Sequence, residues 1–360
     1  MHITTRRTGL AVVLAAAVAA VTATAGHGAD GVISGLNSPR GISTASGKAL
    51  VAESGDGTVA QLRGGENQAS ALAALPNVVD VALTGHGWEA YAITGGPPPE
   101  SGAPPPPTAS KLWHITSSGK VELVADIGAF QQTDPDPEDQ DDPPNPTESN
   151  PNGLALLAGG GILVSDAAGN DLLLVDDGHI TRVARFGRES VPWPTGYPFG
   201  PPPGTPTLAE AVPTAVAVGP DGAYYVSELI GFPFTKGTSR VWRIEPGSVG
   251  ATCDPANAQA GACRSFATGF SSVIDLSFGR DGTMYVLEMA KDGLGGFLVL
   301  GQNPATVVGA LYAVKNGVKT ELSPGSLIVP GGVAVDQDGS LLVTTGDVLG
   351  PAGAVVRVSP

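Results

Sequence analysis

Short runs in which branched apolar residues alternate with small or polar ones recur along most of the chain, each closed by Gly, Pro, Asp or Asn. This period-two pattern predicts half-buried β-strands joined by tight turns. The runs fall into six copies of one unit, the signature of a repeat architecture. Each copy opens with a strand of small and branched residues: 39–43, 79–82, 151–155, 213–217, 274–277 and 330–334. A hairpin turn follows, clearest at Asp221-Gly222, Asp281-Gly282 and Asp338-Gly339, where Asp-Gly tolerates the positive φ of a tight turn. Second strands lie at 49–53, 90–94, 162–166, 224–228, 284–288 and 341–345. Third strands occupy 59–62, 111–115, 172–175, 240–244, 311–314 and 355–358, and fourth strands 71–75, 121–127, 180–186, 264–270 and 318–322.

The sixth copy ends at Pro360 after three strands, and the segment Gly31 to Leu36 resembles the missing fourth. Pairing the two closes a ring without an exposed edge. The predicted fold is therefore all-β, a six-bladed β-propeller with four-stranded blades, residues 30–360 forming one domain. With 51 Gly, 32 Pro and 15% charged residues, the composition favours many turns over helices.

Residues 1–29 read as a signal peptide: Arg6 and Arg7, an apolar stretch from Leu10 to Val21, then Ala23-Thr24-Ala25. The apolar stretch is short for a membrane span, so a secreted, extracellular protein without membrane insertion is expected. The formal charge is −15, and loss of both arginines with the leader makes the mature chain more acidic still. Such a surface repels nucleic acid and anionic membranes and suits a cation or a neutral ligand. A monomer is expected. Cys253 and Cys263 are the only cysteines, and in an exported chain their proximity predicts a disulfide, placed across the lower hairpin of blade four.

The start of strand one and the end of strand two lie at the same end of every blade, and the long inserts fall there: 95–110, 128–150, 187–210, 230–239 and 289–309. A scaffold with elaborated loops on one face is a common placement for a binding site. The same end collects polar residues at matched positions. Glu53, Asp166, Glu228 and Glu288 end second strands, with Thr94 and Thr345 in that column of the other two blades. Arg40, Asn152 and Thr214 stand at the start of first strands, and Asp80 and Asp275 occupy the axial column of opposite blades. Asp80, Asp275, Arg40, Asn152, Glu53, Asp166, Glu228 and Glu288 are thus the candidate ligand or metal site at the channel mouth. Their oxygens suit a hard cation such as Ca²⁺; the alternative is that the acids accept backbone hydrogen bonds from neighbouring loops.

The acidic run Asp134, Asp136, Glu138, Asp139, Asp141, Asp142 lacks the spacing of an EF-hand and is expected to be a solvated, mobile loop. The proline runs 97–99 and 104–107 are expected to be extended and stiff. Trp193, Tyr197 and Phe199, set between prolines, are expected to be exposed and available to a ligand or partner. No nucleophile elbow, P-loop or zinc-protease motif occurs, and His86, His114 and His179 are isolated from one another along the chain.

The run Ala211-Val-Pro-Thr-Ala-Val-Ala-Val-Gly-Pro-Asp-Gly-Ala-Tyr-Tyr-Val-Ser-Glu, continuing to Phe234 and followed by Ser239-Arg-Val-Trp-Arg-Ile, resembles the signature of the ScyD/ScyE family of exported bacterial proteins. Ser149-Asn-Pro-Asn-Gly-Leu, Asp166-Ala-Ala-Gly-Asn-Asp-Leu-Leu and Val273 to Glu288 are similar to its other hallmarks. The resemblance covers nearly all of the mature chain and is most specific in blades three to five; blades one and two and the acidic insert depart from it. It implies an exported propeller and carries no defined chemical activity. Two readings follow: a binding or scaffold protein for a small molecule, glycan or protein, or a metal-assisted hydrolase or lactonase resembling gluconolactonase-type propellers.

Overall fold

A computed structural model describes residues 29–62, 69–96, 106–140, 144–323 and 325–360. Residues 1–28, which hold most of the expected leader, and the proline run at 97–99 lie outside the described residues, as does part of the acidic insert. The chain opens with β1 (Ala29–Leu36) and then builds blade one from β2 (Pro39–Ala45), β3 (Lys48–Glu53), β4 (Thr58–Leu62) and β5 (Ala69–Ala74). Blade two holds β6 (Val78–Leu83), β7 (Ala90–Thr94), β8 (Lys111–Ile115) and β9 (Val121–Asp126), followed by the short helix α1 (Ile127–Gln131). Blade three holds β10 (Pro151–Leu156), β11 (Ile162–Asp166), β12 (Asp171–Asp176) and β13 (His179–Phe186). A separate hairpin of β14 (Glu189–Pro192) and β15 (Pro206–Ala209) leads into blade four: β16 (Pro213–Val218), β17 (Tyr224–Glu228), β18 (Ser239–Ile244), the detour β19 (Ala251–Cys253) and β20 (Cys263–Phe270). Blade five holds β21 (Val273–Phe278), β22 (Met284–Glu288), then helix α2 (Gly295–Leu298), β23 (Ala310–Lys315) and β24 (Val318–Glu321). Blade six holds β25 (Pro330–Val335), β26 (Leu341–Thr345) and β27 (Gly353–Val358).

The chain is thus a six-bladed propeller, as the repeats predict. β1 lies antiparallel to β27, with Ala29 opposite Val358, Ile33 opposite Val355 and Leu36 opposite Gly353, so the two ends of the chain share blade six. The strand starts at Ala29, the last residue assigned to the leader.

Second strands are buried end to end in blades three, four and five and nearly so in the others, because both of their faces meet neighbouring blades. The core is correspondingly divided into six apolar layers, one per blade-to-blade seam. Leu163, Leu172, Val216 and Trp242 fill the seam between blades three and four, for example, and Val51, Leu62, Leu342 and Val355 the seam between six and one. Burying each such side chain contributes about 1.5–3 kcal/mol. First strands approach one another at the axis so closely that side chains no longer fit between them: a Cβ on Gly153 would lie 2.7 Å from Ala215 Cα. This is the physical origin of the small-residue column.

One connection departs from expectation. Cys253 and Cys263 are bonded, but the bridge does not close a hairpin within blade four. β19 leaves blade four and pairs in parallel with β13, Ala184 opposite Ala251 and Phe186 opposite Cys253, which gives blade three a fifth strand. Cys263 begins β20, the outer strand of blade four. The disulfide therefore links the outer edges of two adjacent blades, and both sulfurs are buried in the seam between them.

Two outcomes follow. Replacing both cysteines by serine should cost about 3 kcal/mol or less, the entropy of the short loop released, and should raise amide exchange in 179–186 and 251–253 while the other blades stay protected. Global loss of protection on hydrogen-exchange mass spectrometry would contradict this placement of the bridge. Deleting 29–36 leaves β27 as an unpaired apolar edge and should produce aggregates on size-exclusion chromatography; a monodisperse product with an unchanged melting temperature would refute closure by β1.

Candidate functional site

Arg40, Asp80, Asn152 and Asp275 converge on the axis, where with Gly41, Val79, Ala215, Ile274 and Gly331 they line a cavity of about 10 Å³. That volume suits about one water molecule. Gly41 has no room for a side chain there, since a Cβ would sit 1.9 Å from Asp80 Oδ1.

The two axial carboxylates are engaged in matching ways. Asp80 Oδ1 accepts from the Val81 amide at 2.8 Å, and its Oδ2 accepts from the Leu154 amide of blade three at 3.0 Å. Asp275 Oδ1 accepts from the Leu276 amide at 2.8 Å, and its Oδ2 from the Val333 amide of blade six at 2.7 Å. Burial pushes both carboxyls above the usual carboxylate range, their mutual repulsion raises Asp80 further, and the amide hydrogen bonds pull the other way.

Arg40 spans the mouth of the channel. Its Nε lies 3.3 Å from Asp347 Oδ1 of blade six, and its Nη2 donates to Asn152 Oδ1 of blade three at 3.2 Å. Asn152 Nδ2 in turn donates to Thr214 O at 2.8 Å. Asp347, buried beneath the guanidinium, is a site residue the repeats did not reveal, because it follows the second-strand column rather than lying in it; burial pushes its carboxyl up to about 6 against the pull of Arg40. The guanidinium stands where a bound cation would supply counter-charge. Among the described residues, no group of three or more His, Cys, Asp or Glu side chains is arranged to hold a metal ion.

The acids that end the second strands do not reach this cavity. Glu53 accepts from the Asn37 amide at 3.0 Å, and Glu288 from the Ser271 amide at 2.8 Å. Asp166 accepts from the Asn150 amide and the Ser149 hydroxyl, both at 2.6 Å, and from Gln131 Nε2 at 3.3 Å. In these three blades the acid fastens the segment that leads into the first strand, as the backbone-acceptor alternative holds. Glu228 differs. Its carboxyl is fully buried, 3.4 Å from Arg240 Nε, while Arg240 also pairs with Glu189 on β14 and stacks over Trp242 at 5.2 Å. Burial pushes Glu228 up to about 8, with Arg240 opposing. Thr214 points away from the cavity, its hydroxyl donating to Val273 O at 2.8 Å.

Above the axis, the described parts of the inserts form a belt. Gly96 donates to Asn150 Oδ1 at 2.9 Å, Gln140 to Glu210 Oε1 at 3.0 Å, Gly231 to Glu210 O at 2.9 Å, and Gly237 to Ser271 Oγ at 3.0 Å. The described part of the acidic run is docked rather than solvated: Asp134 pairs with Arg182 and Arg185, buried Asp136 accepts from Asn170 Nδ2 at 2.9 Å, and Glu138 accepts from the Arg188 amide at 2.8 Å. Trp193 is likewise buried, contrary to expectation. Its ring packs edge-on against Tyr197, Phe199 and Phe232 with centroids 5.7, 6.2 and 5.4 Å away, while the Tyr197 hydroxyl donates to Pro233 O at 2.8 Å. Phe199 and Leu208 remain 43% and 50% exposed at the surface of this cap.

No family model and no curated protein matches the chain. Solved propeller structures do. A glucose dehydrogenase matches over 92% of this chain and 99% of its own at 12% identity and a TM-score of 0.56. A gluconolactonase from Xanthomonas campestris matches over 91% and 89% at 12% identity and 0.55, and a streptogramin B lyase over 92% and 96% at 12% identity and 0.50. At these identities the likeness establishes the fold.

Glu228 makes stability depend on pH. A carboxyl with its pKa raised from 4.5 to about 8 keeps in the folded state a proton that the unfolded chain releases. Its favourable contribution is fully present below the unfolded value and is lost as pH rises through the folded one. Glu228→Gln should therefore gain melting temperature relative to the wild type between about pH 5 and about pH 9. A gap independent of pH on differential scanning calorimetry would show that Glu228 is already ionised.

Proposed function

We propose that this chain is an exported binding propeller of the ScyD/ScyE type that recognises its ligand or partner on the surface of the insert cap, not inside the channel. One observation carries this reading: the axial cavity has about 10 Å³ and lies under the Arg40–Asn152 bridge, too little room for an organic substrate. The described parts of the inserts, by contrast, are packed into one structured surface with an aromatic interior, and Phe199, Leu208 and Leu300 are its large apolar residues left open to solvent. A pre-ordered surface spends little conformational entropy on binding. The acidic balance supports a neutral or cationic partner over nucleic acid. The disulfide and the absence of any described helix long and apolar enough to cross a membrane are compatible with export.

Purified protein incubated with glucono-δ-lactone should not accelerate hydrolysis over the spontaneous rate, with calcium or with a chelator present. Calcium-dependent acceleration would overturn the binding reading in favour of metal-assisted lactone hydrolysis. In a thermal-shift screen of small molecules and glycans, stabilising compounds should lose their effect on Phe199→Ser combined with Leu208→Ser; hits indifferent to that pair would place recognition elsewhere.

A further inference from the structure

A second concavity lies at the opposite end of the ring, in the seam between blades five and six, with a volume of about 550 Å³. That size falls within the range of small-molecule sites. Its origin can be read by comparing two successive seams. Between blades four and five, Tyr225 of β17 is packed between Phe278 and Phe266, with ring centroids 4.8 and 4.9 Å away. Its hydroxyl donates to Asp221 Oδ2 at 3.3 Å, and Arg243 Nε donates to the same oxygen at 2.9 Å.

Between blades five and six the counterpart of Tyr225 is Tyr285. The counterpart of Phe278 is Val335, each being the last residue of its first strand to pair with the second. The counterpart of Arg243 is Ala313, each lying opposite the tyrosine in the third strand. Two large side chains are thus replaced by small ones at matched registers, and the space they vacate is the groove. Tyr285, Ala313 and Val335 form its apolar lining, and exposed Val318 extends it.

The groove edge is polar, and its charged side chains are paired, save one. Asp281 pairs with Lys315, and Asp336 and Asp338 with Arg357. Arg280, exposed in the turn between β21 and β22, has no ion pair or hydrogen bond among the described residues. Nor does the Tyr285 hydroxyl have a hydrogen-bond partner among them. Unpaired guanidinium, free hydroxyl, flanking carboxylate acceptors and an apolar floor together match one kind of molecule.

We infer that this groove is a binding site for a small hydroxylated ring carrying one carboxylate, with Arg280 taking the carboxylate, Tyr285 and Val335 facing the ring, and the Asp338 side accepting from hydroxyls. A guanidinium recognises a carboxylate through two parallel hydrogen bonds, which sets orientation as well as affinity. The site is independent of the cap, on the other end of the ring.

The test uses D-glucuronate as probe and D-glucose as its uncharged analogue, read by saturation-transfer NMR and titration on the full chain. Glucuronate should bind, glucose at least about tenfold more weakly, and Arg280→Ala should remove that preference. Val335→Phe, which restores the residue carried at the matched position of blade five, should abolish binding while the protein keeps its melting temperature. Should that variant fail to fold, Ala313→Arg fills the same space from the other strand. Equal binding of both sugars, no binding of either, or binding unchanged in the filled groove would each overturn the proposal. The Phe199→Ser, Leu208→Ser protein should bind glucuronate as the wild type does, so failure here is separable from failure of the cap reading.

Discussion

A ring of six sheets converging on one axis leaves polar backbone groups at a place too crowded for most side chains and nearly closed to water. The way those groups are satisfied determines much of the rest. Every seam is stitched near the axis by a side chain of one blade bonded to the backbone of the next. The Leu83 amide donates to Ser43 Oγ between blades one and two, and Asp80 accepts from Leu154 between two and three. Asn152 donates to Thr214 O, and Thr214 to Val273 O, across the next two seams. Asp275 accepts from Val333 between five and six, and Thr344 donates to Arg40 O where the ring closes, at 2.7 Å. A buried amide without an acceptor costs about 1–3 kcal/mol, so short polar residues sit at these positions for the sake of the seams. The apolar layers between blades are non-directional; the stitches set the register in which they meet.

The same bonds occupy the polar groups that face the channel. Asp80 and Asp275 each engage both oxygens with amides, and Arg40, held by Asp347 and Asn152, offsets the charge of Asp80. What looks in sequence like a ring of acids around a mouth is two separate devices: an axial pair that stitches blades, and a second-strand column that fastens incoming loops. Of the acids in that column, Glu228 alone lacks an amide. It meets Arg240 instead, and through it Glu189 of the hairpin β14–β15, so the column in blade four anchors the cap. The proposed ligand sites accordingly lie on the outer surfaces.

The features legible in the sequence are those that repeat. Strand alternation, Asp-Gly turns and the axial small-residue column recur at fixed spacing, and the shared last blade followed from a missing fourth strand. The opposition of Asp80 and Asp275 could be read as well, because position within a six-fold ring is a counting argument. What escaped does not repeat. β19 is a three-residue strand in a Pro- and Ala-rich detour, with no periodicity to announce that it joins blade three. The prolines around Trp193 suggested exposure, yet they shape a turn that folds the indole onto Phe232, a residue from another insert. The acidic run seemed solvated because its partners, Arg182 and Arg185, lie on the outer strand of blade three, some 50 residues away in sequence. Asp347 was missed since nothing marks it until Arg40 is seen to reach across the ring.

The claim on which this account most depends is that the axial carboxylates are stitches between blades and not ligands of an ion. Thermal unfolding of Asp275→Ala against the wild type, each in calcium and in chelator, tests it directly. Loss of the acceptor for the Val333 and Leu276 amides should lower the melting temperature by the same amount in both buffers, in line with a cost of about 1–3 kcal/mol for each unsatisfied amide. A loss that appears only with calcium, from a wild type that calcium itself stabilises, would contradict it.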